Sequence, residues 1–244
     1  LPSSSIIENI KFFSNYISSN QLVVNLSKGI LSNGRTIIEF LKTELKSDNL
    51  VSLKGPSFAV EIIERADTIL TLGYSTKKQK EIIFKIFNST CIYLESTQDI
   101  NGVEILGVVK NIYAILLGIV DEQFSFTNSR FMILSKVFDE IKVLNNEFNG
   151  DTKTLFLACG LGDICLTSFN NLSRNRTLGK KIGKGCYDSK EKNMVVVEGV
   201  HSLKIIMSLL DSTTQKKLPL LNKLFLFFDS ELNEIELDLK EIYK

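Results

Sequence analysis

The sequence predicts an α/β sheet domain followed by an all-helical one. Three observations carry this. Up to about residue 96, short β-branched runs alternate with amphipathic helical stretches, the pattern of a sheet flanked by helices. From Gly102 onward, helical periodicity continues with almost no strand signal. At the junction stands Gly102–Val120, GVEILGVVKNIYAILLGIV, apolar on nearly every side, as a helix buried all round must be. The boundary falls near Gln98 to Gly102, which divides the chain into domains 1–98 and 99–244.

Taken in order, Ile6 to Ile17 reads as a helix with Ile6, Ile10, Phe13 and Ile17 on one face. Gln21 to Leu26 is a buried strand, followed at once by Ser27-Lys28-Gly29. Thr36 to Lys46 is helical, and Leu50 to Leu53 is a strand running into Gly55-Pro56-Ser57. Ser57 is expected to cap a helix from Phe58 to Glu64, with Glu61 completing a capping box. Thr68 to Gly73 is a strand, Lys77 to Asn88 a helix and Cys91 to Leu94 a strand. Beyond the junction helix, helices are predicted over 128–148, 152–158, 162–169, 174–184, 198–210, 219–228 and 230–243, with a polar surface loop at Lys184 to Asn193.

Bulk properties narrow the function. The 244 residues carry a net charge of +1, with 44% apolar and 23% charged residues, so no global field argues for nucleic acid or membrane. The four cysteines, Cys91, Cys159, Cys165 and Cys186, form no CxxC pair, which argues against a zinc site and fits a reducing cytosol. His201 is the only histidine, and no GxSxG elbow accompanies it. There is no signal-peptide pattern.

Lys110 lies near the middle of the junction helix, on an edge of small residues formed by Gly107, Ala114 and Gly118. Three readings compete. Its tip could snorkel to water. The stretch could span a membrane, although Glu104, Lys110 and Asn111 inside it make that costly. Or Lys110 is a functional amine in a closed site, its pKa lowered by burial or by neighbouring cations. The last is favoured, and the other motifs decide it.

Lys28 follows a strand, where ligands of open α/β sheets bind, though a solvated turn lysine would look the same. Gly55-Pro56-Ser57-Phe58-Ala59 opens a helix after a strand, as an anion site or a plain turn would. In Gly160-Leu161-Gly162-Asp163-Ile164-Cys165-Leu166-Thr167, Asp163 and Thr167 are four apart on one helical face; Asp163 is either an N-cap or the partner of a lysine. Ser173-Arg174-Asn175-Arg176 opens a helix and suits a phosphate, while also being an ordinary surface helix start.

Together these segments resemble the NAD(P)-dependent glycerol-3-phosphate dehydrogenases of the bacterial type. The order matches: Ser27-Lys28-Gly29, GPSFAxE (Gly55 to Glu61), GVExxGxxKN (Gly102 to Asn111), GLGDxxLT (Gly160 to Thr167), SRNRxxG (Ser173 to Gly179) and VVEGV (Val196 to Val200). The resemblance covers almost the whole chain. It implies a truncated Rossmann-like sheet domain followed by a multi-helix C-terminal substrate and dimerisation domain, acting on dihydroxyacetone phosphate and NAD(P)H to give sn-glycerol 3-phosphate for phospholipid synthesis. It implies that Lys110 is the catalytic lysine, with Asp163 and Thr167 beside it, and that Lys28 and Arg174 lower its pKa while Asp163 opposes them. The implied substrate-binding set is Lys28, Gly55, Ser57, Lys110, Asp163, Ser173, Arg174 and Asn175. The implied cofactor set is Lys28, Ala59, Arg174, Val196 and Glu198. No metal is implied, and the expected protein is a cytoplasmic homodimer without nucleic-acid partners or a transmembrane segment.

Departures from the family pattern qualify this. The initial strand and GxGxxG that would cradle a pyrophosphate are not in the sequence, which begins Leu1-Pro2-Ser3 without a methionine. The expectation is therefore a fragment of a longer protein, or a truncated and inactive remnant keeping only the substrate-site geometry. The remaining strands should show an unpaired edge and an apolar face. Ser27 stands where the family usually has Thr, Ala66 where it has Pro, and Glu122 and Phe126 in a loop where it is glycine-rich.

Overall fold

A computed structural model describes residues 3–187, 197–230 and 234–243. It divides into two compact units, Leu1–Val108 with Asn145–Asp163, and Val109–Leu144 with Ile164–Lys244.

The first unit holds the sheet. Its elements begin with α1 (Ser3–Phe13), a 3-10 turn (Ser14–Tyr16), β1 (Val23–Asn25), α2 (Ile37–Leu45), β2 (Leu50–Lys54) and α3 (Ala59–Ile63). They continue with β3 (Thr68–Gly73), α4 (Lys77–Phe87) and β4 (Ile92–Thr97). The strand order is β1-β2-β3-β4, parallel between β1 and β2, antiparallel between β2 and β3, and parallel between β3 and β4. This sheet with flanking helices is the predicted α/β part. β1 forms one edge of the described sheet, and Phe12, Phe13, Tyr16 and Leu26, in and around α1 and after β1, are exposed.

Local chemistry fixes the helix starts. Thr36 and Thr76 each close a capping box, with Glu39 and Gln79 answering from the third helical position. β2 is buried throughout and shows why strand alternation matters here. Val51 and Leu53 join Leu70, Leu72 and Ile83 in one apolar cluster. On the opposite face, Leu50 packs with Ile10, Ile37, Ile38 and Leu41, and Ser52 and Lys54 follow it on the same side of the strand.

Helix α5 (Ile100–Gln123) contributes its first turns to this unit and the rest, from Val109, to the second. It is long and apolar enough to cross a membrane by composition, with 94% of its most apolar window buried inside the protein. That burial identifies it as a core helix.

The second unit is helical, as predicted. It contains α6 (Thr127–Glu147) up to Leu144, α7 (Asp163–Phe169) from Ile164, α8 (Arg174–Gly183), α9 (Glu198–Leu209), α10 (Ser212–Gln215), α11 (Pro219–Asp229) and α12 (Leu239–Ile242). Glycines bring α5 and α8 together. A Cβ on Gly118 would collide with the backbone carbonyl of Arg176, and one on Gly179 with that of Ile115.

Four local expectations are corrected. Ser57 does not cap α3: the flanking residue is Phe58 without a side-chain cap, and the Ser57 hydroxyl donates instead to the Gly55 carbonyl at 3.0 Å. Ile6 to Ile17 is α1 followed by a 3-10 turn rather than one helix. The helix expected over 152–158 is a 3-10 turn, Thr152–Phe156, followed by a π-helical turn, Ala158–Gly162. In the predicted helix 230–243, residues 234–238 are not helical. There Ile235 and Leu237 are buried between exposed Glu234, Glu236 and Asp238, an alternation with the period of extended chain. Part of the predicted loop 184–193 lies outside the described residues.

Candidate active site

In the first unit the site is built at the ends of β1 and β2. Lys28 follows β1, and its Nζ lies 2.5 Å from Asp163 Oδ2 and 3.4 Å from the Gly55 carbonyl. The Asp163 side chain is only 2% exposed and that of Lys28 20%, so the pair is screened from solvent but reachable from the lysine side. Asp163 is therefore an ion-pair partner rather than a mere helix cap. Gly55 has φ of 153°, and a Cβ there would meet the Ile69 carbonyl at 2.9 Å, so glycine is required for β2 to pass so close to β3. Gly162 lies against Pro56, with room for no more than ordinary contact, so the GLGD and GPS segments adjoin.

The π turn that delivers Asp163 is tied to the sheet. The Cys159 N–H donates to Thr71 Oγ1 at 2.9 Å, Thr71 donates to Glu95 Oε1 at 2.7 Å, and the Ala158 N–H donates to the same carboxylate. Burial pushes the Cys159 thiol up to about 12, so it is no nucleophile.

Sequence reasoning missed the most buried polar group in this unit. Lys54 is 1% exposed and Glu104 also 1%, and their Nζ–Oε1 distance is 2.8 Å. Burial lowers the Lys54 pKa, while Glu104 pulls it back up. Asn25 and Ser52, partners in the β1–β2 register, complete the group. The available signal was the alternation of Ser52 and Lys54 on one face of an otherwise apolar strand.

In the second unit, Lys110 is half-buried and donates to Thr167 Oγ1 at 3.1 Å. Thr167 is buried and sits one turn along α7 from Asp163. Asn111 Oδ1 accepts from Asn175 Nδ2 at 3.1 Å, and Asn175 Oδ1 accepts from the Gly199 N–H at 3.2 Å. This chain of bonds ties α5, α8 and the start of α9 together. Gly199 is needed because a Cβ would stand 2.6 Å from the Asn111 carbonyl. Ser173 caps α8 by accepting from the Arg176 N–H at 3.3 Å. Arg174, first in α8, is exposed, and its guanidinium has no hydrogen-bond partner among the described residues. Arg176 is instead buried and bonded to Asp121 and Asn171. Ala59 is exposed at the start of α3, Glu198 half-buried at the start of α9, and Val196 lies outside the described residues.

The structure thus brings Lys28 together with Asp163 and Gly55, Lys110 with Thr167, and Asn175 with Asn111. What fold and site define is a protein of mixed sheet followed by helices, with a polar-anchored lysine in each part. A family model described as NAD-dependent glycerol-3-phosphate dehydrogenase N-terminus matches residues 1–80, and one described as the C-terminus matches residues 99–236. The chain is 35% identical over 83% of its length to glycerol-3-phosphate dehydrogenase [NAD(P)+] of Methanothermobacter thermautotrophicus, covering 62% of that protein. It is 33% identical over 94% of its length to the chloroplastic glycerol-3-phosphate dehydrogenase [NAD(+)] 2 of Arabidopsis thaliana, covering 55% of it. The crystal structure of glycerol-3-phosphate dehydrogenase from Coxiella burnetii superposes with a TM-score of 0.84 at 27% identity, covering 96% of this chain and 72% of that one. The chain belongs to the NAD-dependent glycerol-3-phosphate dehydrogenase family. It spans less than two thirds of the length of these curated relatives.

Proposed function

We propose that this chain carries the substrate-handling part of a glycerol-3-phosphate dehydrogenase, which transfers hydride between NAD(P)H and dihydroxyacetone phosphate to give sn-glycerol 3-phosphate for phospholipid synthesis. The observation that carries the reading is the Lys110 ammonium, borne on a core helix and bonded to buried Thr167 at 3.1 Å. A threonine hydroxyl can accept that bond from the ammonium and fix its direction. The protonated Lys110 polarises the ketone and delivers its proton to the nascent C2 alkoxide; in reverse it takes the proton from the C2 hydroxyl. Thr167 orients the amine. Lys28 supplies positive charge near Asp163, which keeps that cation in place. Arg174 grips the substrate phosphate, helped by Asn175, whose amide is fixed by Asn111 and Gly199, while Ser173 holds the helix start on which both stand. The family resemblance also assigns Gly55 and Ser57 to substrate binding.

The guanidinium of Arg174, exposed and without a hydrogen-bond partner among the described residues, suits an anionic dinucleotide as well, with Lys28, Ala59, Val196 and Glu198 as the other residues that would hold it. When bound, the nicotinamide supplies or accepts the hydride. The division into a partial dinucleotide-binding domain, 1–98, and a helical catalytic domain, 99–244, belongs to the same reading, as do a homodimer and a cytoplasmic location. The free thiols of all four cysteines fit that compartment.

Titration calorimetry tests the phosphate assignment. Dihydroxyacetone phosphate should bind the 244-residue chain, and Arg174→Ala should weaken it by more than about 1.5 kcal/mol. An unchanged affinity in that variant would remove Arg174 from the site.

A further inference from the structure

The proposed chemistry makes no use of the buried group formed by Lys54, Glu104, Ser52 and Asn25. Its bonds are complete. Lys54 Nζ donates to Glu104 at 2.8 Å, to Ser52 Oγ at 2.9 Å and to the Asn25 carbonyl at 3.0 Å. Glu104 also accepts from Asn25 Nδ2 at 2.8 and 3.0 Å, from Ser52 Oγ at 2.5 Å and from the Ile38 N–H at 3.4 Å. A fully buried ion pair gains little stability over an apolar pair of similar volume, because both charges must be stripped of water. Its value must lie in what it holds.

What it holds is the turn that carries Lys28. Asn25 Oδ1 accepts from the Ser27 N–H at 3.0 Å, and Asn25 Nδ2 also reaches the Ser27 carbonyl at 3.3 Å. Both backbone groups of the residue preceding Lys28 are therefore clamped by one amide, and that amide is oriented by Glu104. The two lysine stems also share a slot. A Cβ on Gly107 would stand 3.3 Å from Lys54 Cδ and 3.5 Å from Lys28 Cγ. Two ammonium-bearing stems so close would repel; Glu104 balances one of them, and Asp163 is left to pair with the other.

We propose that Glu104 and Lys54 are positioning residues, which act through Asn25 to set the Ser27–Lys28 turn so that Lys28 meets both Asp163 and a three-carbon phosphate substrate. The substrate half of this rests on the function proposed above; the geometric half does not.

Two neutral replacements of the pair separate positioning from bulk stability. K54M/E104Q keeps an acceptor for Asn25, whereas K54M/E104L has similar volume and none. The readouts, on the full chain, are the affinity for dihydroxyacetone phosphate and the Lys28 ¹³Cε resonance, assigned by its loss in Lys28→Gln. We expect K54M/E104Q to bind within about threefold of wild type, with a nearly unmoved Lys28 signal. K54M/E104L should bind at least tenfold more weakly, with the Lys28 signal moved toward that of a free lysine. Equal Lys28 signals in the two doubles would overturn the proposal. If wild type binds no dihydroxyacetone phosphate, the functional reading fails while the resonance still decides the positioning claim. Should K54M/E104L not fold, Asn25→Ala, which leaves the ion pair in place, must move the Lys28 signal, and an unmoved signal there overturns the proposal equally.

Discussion

The two halves of α5 bury a carboxylate each, directly or by contact, and solve the problem differently. In the first half Glu104 is met by the full charge of Lys54, at 2.8 Å. In the second half Tyr113 donates to Glu140 of α6 at 2.8 Å, and Glu140 otherwise accepts, among the described residues, from the Leu220 and Leu221 N–H groups, at 2.7 and 3.0 Å, where α11 begins. The amides at a helix start carry partial positive charge, which favours an anion but does not equal a cation. Burial accordingly wins: it pushes the Glu140 carboxyl up to about 7 against the pull of its three donors. Glycine use differs in parallel. Gly107 makes room for flexible lysine stems, whereas Gly118 makes room for the backbone of α8. A polar core can thus be fixed by charge balance or by dipoles, and the second leaves a carboxyl pushed up to about 7.

The largest effect should come from unbalancing the first half. Glu104→Gln leaves the Lys54 ammonium buried without a counter-ion and should cost about 3–5 kcal/mol in urea unfolding. Glu140→Gln, compared near pH 4.5 where the carboxyl is protonated, should cost less, about 1–3 kcal/mol, because neutral donors remain to be rearranged. Equal costs would erase the distinction.

Next in size is the pH dependence of the second half. Glu140 has its folded pKa raised to about 7 from the ordinary 4.5, so the folded state holds this proton more tightly than the unfolded chain. Its contribution is fully present below about 4.5 and is lost as pH climbs toward 7, the reverse of a salt-bridged carboxylate. The stability of wild type relative to Glu140→Gln should therefore fall by up to about 3 kcal/mol across that window. Parallel pH profiles for the two proteins would show that Glu140 is not perturbed. Gly118→Ala should follow, at about 1–3 kcal/mol, since its new methyl meets backbone that cannot step aside without moving α8. Thermal unfolding monitored by circular dichroism would register it.

Much of this molecule was legible in its sequence, and the failures have physical causes. Strand β3 and helices α4 and α7 to α9 lie within a residue or so of expectation, because their apolar periodicity and cap residues agree. The same periodicity found α5, and the spacing of GLGDxxLT set Asp163 and Thr167 on one helical face; Thr167 accepts from Lys110 at 3.1 Å. Ser57 misled because a serine before a helix can satisfy a nearer carbonyl instead of the cap. Residues 234–238 misled because charged residues with high helix propensity sit in a two-residue alternation, and burial of Ile235 and Leu237 overrode propensity. The Lys54 group was invisible for another reason. A lysine at a strand end reads as surface, and its partners come from β1 and α5, so nothing local in sequence announces the pairing.

The smallest effect is the sharpest test of the glycine half of the comparison. Gly107→Ala adds a methyl at 3.3 and 3.4 Å from Lys54 Cδ and Cε and at 3.5 Å from Lys28 Cγ. Those are contacts with methylene chains, which can yield by a few tenths of an ångström through small torsional changes. Alanine also favours a helix interior over glycine by about 1 kcal/mol. The two contributions oppose, so the net change in unfolding free energy should stay within about 1 kcal/mol. Because one displaced stem is that of Lys28, affinity for dihydroxyacetone phosphate should fall by a larger fraction than stability does. A Gly107→Ala protein as destabilised as Gly118→Ala would mean that Glu104, Asp163 and the Asn25 clamp hold the lysine stems as rigidly as a helix holds its own backbone.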